Sequence, residues 1–129
     1  MARVLIIDDE KLARITLRKI LESAGHEVAE ASNGSEGVAM YRAQPADLVI
    51  TDIIMPDKEG VETIIELTRD FADIRIIAIS GGGRTRNLDF LKLAQQYGAK
   101  HVLAKPFSQQ ELLGAVDAVL GGAAAAGHA

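Results

Sequence analysis

The sequence contains no cysteine and no tryptophan, and aromatic residues make up only 4% of its 129 residues. Without cysteine the chain has no disulfide, no thiolate nucleophile and no cysteine-based zinc or iron–sulfur site. No apolar run approaches the roughly 18 residues that a membrane span requires. The N-terminus also lacks the apolar region and the small-residue cleavage site of a signal peptide. We therefore expect a soluble cytoplasmic protein that makes no membrane contact.

An excess of positive charge is lacking as well. The chain has 14 Lys and Arg against 18 Asp and Glu, which gives a net charge of −4. This balance argues against direct nucleic-acid binding, which depends on neutralising phosphates. A hydrophobic share of 48% in 129 residues is typical of one folded domain. We expect that domain over residues 1–121, followed by a flexible Gly/Ala-rich tail over residues 122–129.

Short apolar runs rich in β-branched residues recur along the chain. The longest of them hardly alternate with polar residues, which predicts strands covered on both faces, as in a parallel sheet. The second run alternates, which favours an edge position. The runs are Val4–Ile7, Glu27–Ala31, Leu48–Ile50, Ile74–Ile79 and Val102–Ala104.

Helical patterns lie between these runs. The first apolar stripe ends at Gly25 and the fourth at Gly98, both typical C-cap residues. Ser108 and Glu111 have the spacing of a capping box before the last helix. Alternating strands and helices predict an α/β fold, a three-layer (βα)5 sandwich. A flavodoxin-like parallel sheet of order 2-1-3-4-5 places the alternating second strand at one edge and the short fifth strand at the other.

Polar residues with complementary chemistry stand at the ends of four of the five predicted strands. Asp8-Asp9 follow the first strand, Asp52 ends the third, Ser80 ends the fourth and Lys105 follows the fifth. Ligands of open α/β sheets bind at this edge, near the point where the strand order reverses. Clustered carboxylates repel one another, and a hard divalent cation such as Mg²⁺ relieves that repulsion. The pattern predicts a Mg²⁺-dependent phosphoryl site in which an aspartate is the nucleophile.

These residues resemble the receiver domain of bacterial two-component response regulators, and the resemblance covers about residues 3–120. It depends on four short motifs in this order and spacing. They are Asp8-Asp9, then Asp52-Ile53-Ile54-Met55-Pro56 with Gly60, then Ser80-Gly81, and finally Lys105-Pro106-Phe107. The single-domain chemotaxis regulators are the familiar examples of this type.

The resemblance implies a role for each matching residue. Asp52 would accept a phosphoryl group from a histidine kinase or a histidine phosphotransfer protein. Asp9, Asp52 and the backbone carbonyl of Ile54 would bind Mg²⁺ directly, and Asp8 would act through a metal-bound water. Lys105 would pair with the phosphate or with Asp52. The domain would signal through protein contacts and would not be an enzyme.

The resemblance extends to the residues that would respond to phosphorylation. Ser80 would turn inward to donate a hydrogen bond to the phosphoryl group, and Gly81 would let a backbone N–H approach it. The Lys105–Pro106 peptide would be cis, which would aim the lysine inward.

Three positions bear on how far the family's switch and its phosphoryl lifetime carry over to this chain. Val102 stands where the family often has an aromatic residue, so the coupled ring rotation does not carry over. Ile54 and Gly82 occupy the positions that influence autodephosphorylation, and neither side chain can orient a water through a polar group.

The predicted fourth helix is apolar on more than one face, which is typical of a helix that also contacts a partner. We expect Leu88 and Leu91, together with Val102, to contribute to a partner surface. The resemblance places the contact with a downstream target protein here, and it also allows a phosphorylation-dependent homodimer. Core packing alone would account for the same pattern.

Three other functions remain open at this stage. The chain could be the receiver fragment of a longer transcription factor or output enzyme. It could be a Mg²⁺-dependent phosphatase of the haloacid-dehalogenase-like type, although that family carries D-x-D after the first strand. It could also be a pseudo-receiver that only binds partners, although no acidic, hydroxyl or lysine member of the set is missing.

Overall fold

The computed structural model describes residues 2–53, 60–80, 92, 94–105 and 107–128, and for residues 60, 80 and 122–128 it describes the backbone only. Strands and helices alternate along the chain. In order they are β1 (Arg3–Ile7), α1 (Lys11–Ser23), β2 (Glu27–Ala31), α2 (Gly34–Ala43), β3 (Leu48–Asp52), α3 (Gly60–Asp70), β4 (Ile76–Ser80), α4 (described at residues 92 and 94–96), β5 (His101–Ala104) and α5 (Gln109–His128).

The strands form one five-stranded sheet of order β2-β1-β3-β4-β5, and every neighbouring pair is parallel. The predicted flavodoxin-like sheet order is therefore confirmed. The alternating run of β2 and the short β5 lie at the two edges, as their patterns indicated. The strand order reverses between β1 and β3, because β2 lies beside β1 on its other side.

Two apolar cores, one on each face of the sheet, produce the three layers. Alternate residues of β1 enter different cores: Leu5 and Ile7 pack with α2 and α3, whereas Val4 and Ile6 pack with α1 and α5. All four of these side chains are at most 2% exposed. The central strands are thus covered on both faces, which explains their nearly continuous apolar sequence.

Local signals fix the helix ends. Gly25 has φ +92°, the left-handed conformation that suits glycine after the end of α1. The Glu111 N–H donates to Ser108 Oγ at 3.0 Å, and the Ser108 N–H donates to Glu111 Oε1 at 2.8 Å. The capping box predicted before α5 is confirmed.

The first residue of β4 and the last residue of α5 differ from the sequence patterns. β4 begins at Ile76 rather than Ile74, whose N–H donates to the Phe71 carbonyl in the preceding turn. α5 continues to His128, through residues for which the sequence predicted a flexible tail. Four consecutive alanines, residues 123–126, favour helix because alanine has the highest helix propensity. The division into a domain and a tail stays a prediction.

One glycine brings α2 unusually close to β1. A Cβ built on Gly37 would lie 2.3 Å from Ile7 Cδ1 and 2.6 Å from Ile7 Cγ1. Ile7 is fully buried, so its side chain has little room to move away. Gly37 therefore sets the spacing between α2 and the end of β1.

Over the part of the chain that the structure describes, no helix combines the length and apolar character that a membrane span needs.

Candidate functional site

The carboxyl ends of the parallel strands bring the predicted polar residues to one edge of the sheet. Asp8 directly follows β1, Asp52 is the last residue of β3 and Lys105 directly follows β5. Ser80 is the last residue of β4, beside Ala104 of β5. Its backbone thus lies at the predicted edge.

Three carboxylates form a tight group at this edge. Asp8, Glu10 and Asp52 each place one carboxylate oxygen within 4.8 Å of the other two. Asp8 is 1% exposed and Asp52 is 5% exposed, whereas Glu10 is exposed and closes the group on the solvent side. Two nearly buried acids and one exposed acid thus converge on a single point.

Lys105 is the cation of this group. Its Nζ lies 3.5 Å from Asp8 Oδ2, 3.5 Å from Glu10 Oε1 and 3.7 Å from Asp52 Oδ2. One ammonium group is therefore shared among three carboxylates: it donates a long hydrogen bond to Asp8 and forms ion pairs with Glu10 and Asp52. The negative charge of the acids exceeds what this single lysine can neutralise.

The pKa values reflect burial and this shared charge. Burial raises the pKa of Asp8, against the opposing effects of the Glu10 N–H and the Lys105 ammonium, and the nearby Asp9 and Glu10 carboxylates raise it further. Burial lowers the pKa of Lys105, but Asp8, Asp52 and Glu10 outweigh it, so the pKa of Lys105 is raised overall. Lys105 thus remains an ammonium group at neutral pH.

A short turn orients the first of these acids. The Glu10 N–H donates to Asp8 Oδ1 at 2.9 Å, and the Asp8 N–H donates to the Ala31 carbonyl at 3.1 Å. These bonds connect Asp8 both to the start of α1 and to the end of β2. The acid is held by backbone on two sides before any ligand binds.

The group fits a hard divalent cation. Its donors are carboxylate oxygens, the ligands that Mg²⁺ prefers. An ion at their common point would offset the repulsion that burial leaves uncompensated at Asp8. Asp8, Glu10 and Asp52 are the described residues that would hold it.

Glu10 belongs to this group, although the sequence patterns did not assign it to the site. Asp9, predicted there as a direct ligand, is exposed and is not part of the group. The acidic run Asp8-Asp9-Glu10 was the available signal, but it does not show which of its members turn inward. The ligand role of Asp9 stays a prediction.

Val102 is the residue of the predicted partner surface that the structure describes. Val102 lies on β5, is half-buried and packs against the core on the α2–α3 side. The Ser80 side chain lies outside the described part. The residues that lie wholly outside it are Ile54, Gly81, Gly82, Leu88, Leu91 and Pro106. The cis peptide, the carbonyl ligand and most of the predicted partner surface therefore stay predictions.

An open groove of about 480 Å³ begins beside the acidic group. Glu10 and Lys105 line its end at the site, and Leu12, Thr16 and Phe107 line its apolar part. Leu12 is 77% exposed. Lys105 is thus reached from solvent along a partly apolar surface.

Comparison with known proteins gives one consistent result. The family model described as response regulator receiver domain matches residues 4–117. Protein PilH of Pseudomonas aeruginosa is 36% identical over 122 residues, which cover 95% of this chain and 100% of that protein. Chemotaxis protein CheY of Bacillus subtilis is 38% identical over 120 residues, which cover 92% of this chain and 97% of that protein.

Solved structures of the same family also have similar folds. A response regulator receiver domain protein from Clostridium thermocellum has a TM-score of 0.85 at 32% identity and covers 94% of this chain and 95% of that one. A chain of the CheX-CheY-BeF3-Mg²⁺ complex from Borrelia burgdorferi has a TM-score of 0.83 at 29% identity and covers 91% of this chain and 87% of that one.

Proposed function

Because this chain belongs to the response regulator receiver domain family, we propose that it accepts a phosphoryl group on Asp52 in a Mg²⁺-dependent reaction. The donor is a phosphohistidine of a histidine kinase or of a histidine phosphotransfer protein. The observation that carries the proposal is the convergence of Asp8, Glu10 and Asp52 on one point, with Lys105 Nζ 3.5–3.7 Å from all three.

Asp52 is the member of the group best suited to be the acceptor. It ends the central strand β3, where the sheet fixes its backbone, and it is 5% exposed. A buried carboxylate is incompletely hydrated, which favours its attack on phosphorus. The position of Asp52 also matches the motif that carries the family resemblance.

The transfer balances as a simple substitution at phosphorus. A carboxylate oxygen of Asp52 forms the new O–P bond, and the P–N bond of the donor breaks. The electron pair of that bond stays on the imidazole nitrogen, which is then protonated from water. Bound Mg²⁺ would supply positive charge to the phosphoryl oxygens. The Lys105 ammonium would pair with a further phosphoryl oxygen.

The product would act through protein contacts. We propose that phosphorylated Asp52 draws in the Ser80 hydroxyl and changes the affinity of the surface near α4 for a target protein or a second copy of the chain. A relative was crystallised as a CheX-CheY-BeF3-Mg²⁺ complex, which supports a partner protein that binds in the presence of Mg²⁺. A cytoplasmic location fits this chemistry and stays a prediction.

As a second proposal, this chain is the receiver part of a longer transcription factor or output enzyme. The DNA-binding transcriptional regulator NtrC of Azospirillum brasilense is 34% identical over 119 residues, which are 92% of this chain but 24% of that protein. The same domain thus also occurs within longer regulators. The mass of the protein purified from its native source tests this alternative.

The test of the acceptor is mass spectrometry after incubation with acetyl phosphate and Mg²⁺. We expect one phosphoryl group on the parent and none on Asp52→Asn, because an amide cannot act as the nucleophile. Asp117→Asn, which changes an exposed acid on α5, is the matched control and should be labelled like the parent.

Two outcomes would contradict the proposal. Undiminished labelling of Asp52→Asn would place the acceptor elsewhere. Rapid multiple turnover of a phosphomonoester by the parent would favour the phosphatase over the receiver, which takes up one group per chain.

A further inference from the structure

Arg14 of α1 bonds to both ends of the turn that carries the acidic residues. Its backbone N–H donates to the Glu10 carbonyl at 3.1 Å, in the first turn of the helix. Its side-chain Nη1 donates to the Asp8 carbonyl at 2.6 Å. The Arg14 side chain is 15% exposed, so this bond lies largely away from water. The turn from Asp8 to Glu10 is thereby fixed to a single residue.

The carbonyl that Arg14 holds belongs to the peptide between Asp8 and Asp9. A peptide unit is planar, so fixing its oxygen fixes the direction in which the chain leaves toward Asp9. The other bonds of Asp8 to described residues, from its N–H to Ala31 and from the Glu10 N–H to its carboxylate, do not involve that peptide oxygen. Arg14 therefore adds a separate constraint on the direction of this peptide.

Arg14 is itself held from the side of β2. Its Nε donates to Glu30 Oε1 at 3.1 Å, and Arg18 donates to the other carboxylate oxygen of Glu30. Arg18 Nη2 also donates to the Val28 carbonyl at 3.0 Å. Arg14 and Arg18 lie four residues apart, on one face of α1. Arg14 thus connects the acidic turn directly to Glu30 of the edge strand, whereas Arg18 bonds that strand without contacting the turn.

We infer that Arg14 is a positioning residue for the divalent cation: it holds the Asp8–Asp9 peptide so that the acids of this turn are oriented before the ion binds. Arg14 bonds a backbone carbonyl here rather than a carboxylate of the site, so it acts through geometry. Its planar guanidinium reaches Asp8 and Glu30 through separate nitrogens, which the single ammonium of lysine does not reproduce. The inference rests on the proposed function.

The first test measures Mg²⁺ binding by isothermal titration calorimetry, with Mg²⁺ alone as the ligand. Arg14→Gln and Arg14→Lys should both weaken binding roughly tenfold, the lower end of what outer partners of metal ligands contribute. Arg18→Gln is the matched control, because Arg18 bonds the same Glu30 but does not contact the acidic turn. Its Mg²⁺ affinity should equal that of the parent.

The second test needs no metal. Amide hydrogen exchange of Glu10, followed by NMR in Mg²⁺-free buffer, should be faster in the Arg14 variants than in the parent and in Arg18→Gln. Should Arg14→Gln fail to fold, Arg14→Lys carries both tests.

In phosphorylation by acetyl phosphate, the Arg14 variants should need more Mg²⁺ for half-maximal rate, while the rate at saturating Mg²⁺ should match that of the parent.

Unchanged Mg²⁺ affinity in both Arg14 variants would overturn the inference, as would an equal loss in Arg18→Gln. Mg²⁺ binding to the parent without labelling of Asp52 would refute the proposed function but leave the role of Arg14 decided by the calorimetry. A parent that binds no Mg²⁺ would overturn both.

Discussion

Two groups of charged side chains in this molecule shift the pKa values of their acids in opposite directions. At the carboxyl edge of the sheet, burial raises the pKa of Asp8. On the α2–α3 surface, hydrogen bonds from Arg69 and Arg42 lower the pKa of Asp70 to about 2. Both acids have cations nearby, so proximity to positive charge does not by itself explain the difference.

The difference lies in the ratio of cations to acids and in burial. Asp70 is bonded by two arginines, and Arg42 also stacks on Phe71 with its guanidinium carbon 5.4 Å from the ring centroid. At the sheet edge, one lysine is shared by three acids, two of which are buried. The first arrangement joins two helices, whereas the second leaves an excess of negative charge that a further cation would offset.

The largest expected effect concerns the excess of negative charge at the carboxyl edge of the sheet. For the parent, Mg²⁺ at 100 times its dissociation constant should raise the free energy of unfolding by about 2.7 kcal/mol. If Asp9 binds the ion directly, as the resemblance implies, Asp9→Ala should lose most of this gain. Without metal the variant should be more stable than the parent, because the Asp9 charge raises the pKa of buried Asp8. Urea unfolding with and without Mg²⁺ measures both quantities.

Glu10→Gln is the companion variant for that measurement. A metal-free Asp9→Ala that is less stable than the parent would contradict the repulsion argument. Loss of the Mg²⁺ gain in Glu10→Gln but not in Asp9→Ala would assign the ligand role to Asp8, Glu10 and Asp52.

Removal of the shared lysine should have an intermediate effect. Lys105→Met leaves the buried Asp8 without its ammonium partner and should lower the metal-free free energy of unfolding by about 1–2 kcal/mol. Mg²⁺ should restore more stability to this variant than to the parent, because the ion no longer competes with the ammonium group. Lys100→Met, at an exposed lysine before β5, is the control. Equal Mg²⁺ responses in Lys105→Met and the parent would separate the lysine from the cation site.

The smallest effect is expected on the α2–α3 surface. Asp70→Asn should lower the unfolding midpoint at pH 7 by less than about 3 °C, as is usual for exposed ion pairs. The folded-state pKa of Asp70 is depressed, so its contribution is complete above the unfolded value of 3.8 and is lost as pH falls toward about 2. Thermal melts of the parent and variant should converge over that interval. A difference that grows on acidification would reverse the assigned sign.

Asp8 should behave oppositely in the same melts. Its pKa is raised on folding, so its charge destabilises the metal-free fold at neutral pH, and this penalty disappears as pH falls through the raised folded-state value. Asp8→Asn, which removes that charge, should abolish this part of the pH dependence. The pH dependence of the Asp70→Asn difference then serves as an internal reference of opposite sign.

The sheet order and the main site residues could be predicted because few physical rules decide them. Apolar runs with the period of strands or helices define the layers, and parallel strands direct all their carboxyl ends to one edge. Asp8, Asp52 and Lys105 follow from this rule. The approach of the Glu10 carboxylate to the other two acids does not follow from this rule. It depends on the backbone of a tight turn held by Asp8 and Arg14.

At the C-terminal end of α5 the sequence pattern and the backbone differ, while the division into a domain and a tail stays a prediction. Residues 122–128 offer little apolar surface to bury, so the sequence predicted a tail, yet the backbone continues as helix to His128. Periodicity detects helices that pack against a core. It does not detect those whose backbone preference comes from alanine alone.

The close approach at Gly37 has a consequence for the acidic edge of the sheet. Ile7, which a methyl group on Gly37 would strike, is the residue directly before Asp8. Any larger side chain at this position would have to displace the Ile7 side chain, which is fully buried. The absence of a Cβ at Gly37 of α2 therefore affects the packing of the strand residue that directly precedes Asp8.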